Sequence, residues 1–159
     1  MQARITRLAA ALFAACIAMG AAHAQDARLE RGRYMVLTGH CNNCHTAGYA
    51  QREGNVPEKD WLLGSGAQGW RGPWGTTYAS NLRLNVHAMT EAEWIAYIKD
   101  LKARPPMPWW STKATTEDDL RAMYRYIRQL GPAGDPAQPF LPPDKDPKPP
   151  FIQYPMPPK

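Results

Sequence analysis

The sequence predicts a small all-α domain of three or more helices with long loops, followed by an extended, proline-rich C-terminal tail. Two segments place apolar residues at the three- and four-residue spacing of a helix buried on one side, and residues 27–37 supply apolar contacts for a further helix. No stretch shows the alternation of a half-buried strand, and no internal repeat stands out. Eleven of the 28 residues from 132 to 159 are proline, which is incompatible with a helix or a central strand there.

The first 24 residues resemble an export signal. Arg4 and Arg7 precede an apolar run, and residues 22–24 (Ala-His-Ala) resemble a cleavage site, so we expect a mature start at Gln25 and a periplasmic protein. Such cleavage removes Cys16 and leaves no integral membrane span. Two alternatives stay open, namely an uncleaved membrane anchor and a lipoprotein cut before Cys16.

Charge and length indicate one mildly basic domain. The net charge of +5 falls to about +3 when Arg4 and Arg7 are removed. No arginine-rich run or nucleic-acid motif is present, so we expect no nucleic-acid partner. The expected organisation is a signal peptide over 1–24, a domain over 25–131 and a tail over 132–159.

The first predicted helix runs from Ala27 to Leu37. Gly39 is placed to end it. The stretch from Thr46 to Gly75 is rich in glycine and polar residues, so we expect mostly loop there.

A second helix is predicted directly after Thr90. Thr90 and Glu93 have the spacing of a capping box, and Pro105 and Pro106 stop the helix. Its apolar positions at helical spacing are Trp94, Ile95, Ile98 and Leu101.

The last helix is predicted to start near Thr116 and to close at Gly131. Three acidic residues in its first turn suit the positive end of the helix dipole. Its apolar stripe consists of Leu120, Met123, Tyr124, Ile127 and Leu130. The tail that follows carries several apolar residues, so it either wraps along the domain, meets a partner, or is a floppy extension.

The most informative motif is Cys41-Asn42-Asn43-Cys44-His45. C-x-x-C-H is the attachment pattern of c-type haem. Two thiols at this spacing can reach the two vinyl groups on one porphyrin edge, and the adjacent histidine can ligate the iron. One motif predicts one covalently bound haem, held by Cys41, Cys44 and His45. The domain would therefore fold around this buried cofactor, whose iron carries the redox chemistry.

The second axial ligand of the iron is predicted to be Met107. It lies in Arg-Pro-Pro-Met-Pro, a stiff, extended turn that can hold a thioether in place without a helix. Met123 falls on the apolar stripe of the last helix, where core packing explains it, and Met89 is a weaker candidate. His87 is the rival ligand, and a vacant position is a further alternative.

The haem propionates need hydrogen-bond donors when they are partly buried. The segment from Gly72 to Asn81 is rich in such donors and in glycine, which allows close approach of the backbone. The candidate propionate contacts are Trp74, Tyr78, Asn81 and the nearby Arg71. The alternative is an ordinary polar surface loop.

Several of these motifs together resemble class I cytochromes c, and most closely the cytochrome c domains in cytochrome subunits of periplasmic dehydrogenases. The similar segments are Arg31-Gly32-Arg33-Tyr34, residues 41–46, residues 75–81 and Pro106-Met107-Pro108. The resemblance covers about residues 30–130. It implies a cytochrome c-like fold, distal ligation by Met107, and a last helix that packs across the first near Gly32 and Tyr34.

The expected function is one-electron transfer rather than catalysis. A periplasmic dehydrogenase would be the donor, and a terminal oxidase or another cytochrome the acceptor. Two alternatives stay open: a haem subunit of a larger oxidoreductase, and a haem protein whose exchangeable distal position binds or converts a small ligand.

Overall fold

The computed structural model describes residues 24–158. Its six α-helices in this range are α1 (residues 24–38), α2 (Cys41–His45), α3 (Leu82–His87), α4 (Glu91–Asp100), α5 (Trp109–Ala114) and α6 (Glu117–Gln129). The strands are β1 (Gly69–Gly72), β2 (Gly75–Tyr78) and β3 (Phe151–Gln153), and a 3₁₀ turn spans Glu58–Asp60.

The predicted all-α class is wrong, because the helices are joined by a three-stranded mixed sheet in the order β2-β1-β3. Strands β1 and β2 form an antiparallel hairpin, and β3 from the tail pairs parallel with β1. Each strand is only three or four residues long, and the hairpin strands are rich in glycine. Such short segments cannot display the alternation that identifies a half-buried strand.

The predicted starts of α4 and α6 are confirmed. Thr90 and Glu93 form both hydrogen bonds of the capping box at α4. The hydroxyl of Thr116 accepts a hydrogen bond from the backbone N–H of Asp119 at α6. These caps satisfy N–H groups that the helix itself leaves without partners.

The core lies between α3, α4 and α6 and the loop before β1. Buried members include Leu62, Val86, Trp94, Ile98, Leu120, Met123 and Ile127. Met123 therefore packs in the core, as its place on the helix stripe predicted.

Helices α1 and α6 approach closely at Gly32. A Cβ atom built on Gly32 would overlap the carbonyl oxygen of Ala122 and lie 2.7 Å from the Cβ of Tyr126. Glycine is therefore needed for close approach of the two helices. This contact confirms the implied packing of the last helix across the first.

The buried side chain of Arg83 joins α3 to the end of α6. Its guanidinium donates to the backbone carbonyls of Leu130 and Gly131, and to that of Lys59 at 2.7 Å. Carbonyls at a helix C-terminus lack partners within the helix and carry partial negative charge, so a buried cation is well placed here. Burial lowers the pKa of the Arg83 guanidinium, which nevertheless stays charged at neutral pH.

The tail packs along the hairpin. Leu141 exchanges two backbone hydrogen bonds with Thr76, at 2.8 and 3.0 Å. Further along, β3 extends the sheet, and Trp74 packs edge-to-face on Tyr154 with ring centroids 5.2 Å apart. The proposed division at residues 131 and 132 stays a prediction.

The predicted leader and Cys16 lie outside the described residues, apart from residue 24. Between residues 24 and 158, no helix combines the length and the apolar character that a membrane crossing requires.

Candidate haem site

The two motif cysteines lie on α2, which consists of one short turn. Because they are three residues apart, their side chains lie on the same side of the helix. Both are free thiols and partly buried. His45 ends the helix and is buried. The two cysteines and the histidine thus share one five-residue helix.

A buried hydrogen-bond network fixes α2 to the following loop. The hydroxyl of Thr46 donates to the side-chain oxygen of Asn42 at 2.7 Å and accepts from the N–H of Leu62 at 2.8 Å. The N–H of Gly64 donates to the carbonyl of His45 at 2.8 Å. The short helix is therefore held by tertiary bonds, since one turn has little stability of its own.

The ring of His45 is oriented by the backbone of Ser80. Its Nδ1 lies 2.7 Å from the Ser80 carbonyl oxygen. A carbonyl only accepts hydrogen bonds, so Nδ1 carries the proton and Nε2 keeps its lone pair. Burial lowers the pKa of His45, which favours the neutral ring. A neutral histidine with Nδ1–H bound to a backbone carbonyl is the usual form of a metal-ligating histidine.

The surroundings of the two cysteines favour uncharged forms of sulfur, such as a thioether. Burial raises the pKa of Cys41 to about 11 and also raises the pKa of Cys44 above its usual value. Burial away from water penalises the charged thiolate form of a cysteine. A thioether carries no charge and meets no such penalty. Over residues 24–158, moreover, no group of three or more His, Cys, Asp or Glu side chains is arranged for a metal ion.

Met107 lies in a turn between α4 and α5. Its N–H donates to the carbonyl of Arg104 at 3.2 Å, and its carbonyl accepts from the N–H of Trp109 at 2.9 Å. The side chain is half-buried. These bonds define a short, proline-rich turn of the kind that the sequence predicted.

The rival ligand, His87, lies in the last turn of α3. Its Nδ1 is 2.8 Å from the carbonyl of Arg83, one turn earlier in the same helix. The ring is half-buried and bound to its own helix.

Three polar atoms of the hairpin are buried without a hydrogen-bond partner among the described residues. They are Nε1 of Trp74 and the hydroxyls of Thr76 and Thr77. Buried polar groups normally have partners, so these atoms are suited to an acceptor that the protein does not itself supply. Thr76 and Thr77 are adjacent in β2 and point to opposite faces, so only one of them can serve the same group as Trp74.

The other predicted propionate contacts have different surroundings. Arg71 forms an ion pair with Asp146 of the tail at 2.5 Å. Asn81 caps α3 by accepting the N–H of Leu84, and it donates to the carbonyl of Ala133 at 2.8 Å. Tyr78 is buried in β2. The structure thus gives Arg71 and Asn81 partners within the protein, whereas Trp74 keeps an unpaired donor among the described residues.

Sequence reasoning did not identify Ser80 or the two threonine hydroxyls as site residues. All three lie in the stretch from Gly72 to Asn81 that was expected to face the haem. Ser80 acts through its backbone carbonyl, which every residue type possesses. The threonines are distinguished only by burial, which the sequence does not show.

Comparison with known proteins identifies one informative relative. The chain is 30% identical over 134 residues to the cytochrome c subunit of a quinone-dependent alcohol dehydrogenase from Gluconobacter oxydans (strain 621H). The chain is related to this cytochrome c subunit. The relationship confirms the resemblance to cytochrome c domains of dehydrogenase subunits.

The match covers 76% of this chain and 26% of the relative, so this cytochrome c-like chain spans about a quarter of the relative's length. No family model matches the chain. No solved structure matches it either.

The residues of the present chain fit a haem group. Two partly buried thiols on one side of a turn, an imidazole with Nε2 directed away from its Ser80 bond, and an orphaned indole N–H form a suitable donor set. Each matches one chemical requirement of the cofactor: covalent attachment, axial ligation and a propionate partner.

Proposed function

We propose that this chain is a mono-haem c-type cytochrome that carries single electrons. Cys41 and Cys44 would tether the haem as thioethers, and His45 and Met107 would be the axial ligands. Trp74 and Tyr78 are the hairpin side chains proposed to line the group. Arg71 and Asn81 would hold the same hairpin in place, Arg71 through its ion pair with the tail and Asn81 through its capping bond to α3.

The hydrogen bond between His45 and Ser80 carries the proposal. It fixes the ring tautomer and orientation before any ligand is bound, which is the role of an outer partner of a metal-ligating histidine. The two free thiols directly before this histidine complete the C-x-x-C-H pattern of c-type haem attachment, which makes haem the group best suited to it.

When bound, haem c supplies a reversible one-electron couple. The residues of the chain hold this group and exclude water from it. His45 and Met107 would fill both axial positions, which leaves little room for a substrate. Met107 as ligand also raises the reduction potential relative to a second histidine.

The proposed partners are redox proteins of the periplasm. The relative is a dehydrogenase subunit, which supports a dehydrogenase-type donor for this chain. A terminal oxidase or another cytochrome would be the acceptor. The predicted leader supports export, since it would deliver the chain to this compartment.

A second candidate function is a haem subunit of a larger oxidoreductase. Two findings favour it. The relative is named as a subunit of a dehydrogenase, and the match covers 26% of the relative, which therefore contains much more than this domain. The chemistry at the haem would be the same in both cases. The two candidates differ in how long the chain stays bound to its partner.

Intact mass spectrometry of the full chain, produced in a bacterium that attaches c-type haem, tests the proposed site. We expect one covalently bound haem per chain and a reductive titration that takes up one electron. The Cys41→Ala, Cys44→Ala double variant should carry no covalent haem, because neither thiol of the motif remains to form a thioether. Cys16→Ala is the matched control and should carry a full complement. Covalent haem in the double variant, or none in the unsubstituted chain, would contradict the proposal.

A further inference from the structure

The tail contacts the segment that carries Met107. The guanidinium carbon of Arg104 lies 4.0 Å from the ring centroid of Phe140, which places the cation over the aromatic face. Phe140 is half-buried and directly precedes Leu141. Through the two bonds between Leu141 and Thr76, this part of the tail is attached to β2.

The ring of Phe140 also packs on the turn of the hairpin. Gly75 has a φ of 103°, and a Cβ built there would lie 2.9 and 3.0 Å from two ring atoms of Phe140. A residue with a side chain would therefore displace the ring. Phe140 thus stands between the hairpin, with its orphaned Trp74 and Thr76, and Arg104.

Arg104 is the first residue of the turn that presents Met107. Its carbonyl accepts the N–H of Met107 at 3.2 Å. Three of the four residues from 105 to 108 are proline, so this turn has few N–H groups with which to bind a neighbouring segment. A side-chain contact can supply the attachment that the backbone cannot.

We propose that Phe140 is a positioning residue, which fixes the turn of Met107 against the β1–β2 hairpin through its contact with Arg104. The proposal rests on the proposed function, in which Met107 ligates the iron. The tail then has a defined role, because it holds the thioether in place and makes the distal position harder for other ligands to take.

The test compares four variants of the full, haem-loaded chain: Phe140→Ala, Arg104→Met, the double variant, and Met156→Ala. Met156 is an exposed tail residue and serves as the matched control. Two properties are measured. The first is hydrogen exchange over residues 104–110, and the second is the affinity of the ferric protein for added imidazole, a ligand that competes with the methionine.

We expect Phe140→Ala to speed exchange over residues 104–110 and to tighten imidazole binding by about twofold to fivefold, the range of one cation–π contact of an exposed cation such as Arg104. Arg104→Met should have a similar effect. The double variant should be no worse than the more affected single variant, because both changes remove the same contact. Met156→Ala should match the unsubstituted chain.

Unchanged exchange and unchanged imidazole affinity in Phe140→Ala would overturn the role of Phe140, as would additive effects in the double variant. A far-red sulfur-to-iron band missing from the unsubstituted ferric protein would contradict the ligation by Met107, and the role of Phe140 with it. A band that is present there, and that the same concentration of imidazole abolishes in Phe140→Ala and in the unsubstituted chain, would contradict the role of Phe140 alone.

Discussion

Replacing Gly32 by valine is expected to destabilise the fold by about 3 kcal/mol, at the upper end of the range for overpacking a core. The reason is the close approach of α1 and α6, which leaves no room for a Cβ between Gly32 and the backbone of Ala122. Valine favours a helix over glycine by less than about 1 kcal/mol, so the steric cost decides the outcome. Urea unfolding of the haem-loaded protein measures this free energy.

Glu30→Val is the matched control for this prediction. Glu30 lies on the same helix but is exposed, so it receives the same side chain without a clash. We expect its free energy of unfolding to change by about 0.5 kcal/mol or less. Equal effects of the two substitutions would contradict the close packing at Gly32.

Arg83→Met is expected to cost about 3 kcal/mol, because three backbone carbonyls would lose the hydrogen bonds of one buried guanidinium at once. Methionine has a similar length and is apolar, so the change removes the hydrogen bonds while filling much of the space. The carbonyls of Leu130, Gly131 and Lys59 would be left without this partner. The end of α6 should fray first, which hydrogen exchange over residues 126–131 would report.

Arg128→Met controls for the loss of a positive charge near the same helix end. Arg128 lies in the last turn of α6 and is exposed. Its substitution should cost about 1 kcal/mol or less, since exposed charge interactions are weak. If Arg128→Met destabilised the protein as much as Arg83→Met, helix-dipole charge and not buried hydrogen bonding would explain both.

The sequence was sufficient to predict α4 and α6 but not the sheet. The signals for α4 and α6 are local: a cap at Thr90 or Thr116 and an apolar stripe that follows it. The sheet depends on pairing between Trp70 and Ile152, which are far apart in the chain. Neither segment carries a local pattern that identifies its partner.

The candidate haem site likewise has a part that the sequence predicts and a part that it does not. Cys41, Cys44 and His45 are adjacent in sequence, so their motif could be identified directly. The partner of His45 is a backbone carbonyl 35 residues away, which no residue type marks. The ion pair between Arg71 and Asp146 of the tail is a further contact that the sequence did not predict. The path of the tail could not be predicted from its composition.

The most direct test of the proposed iron site is the visible absorption spectrum of the ferric, haem-loaded protein. It should be recorded for the unsubstituted chain and for Met107→Ala, with His87→Ala and Met89→Ala as controls. We predict a far-red sulfur-to-iron charge-transfer band that is lost only in Met107→Ala. A high-spin spectrum of the unsubstituted chain, or a band that survives in Met107→Ala, would contradict ligation by His45 and Met107.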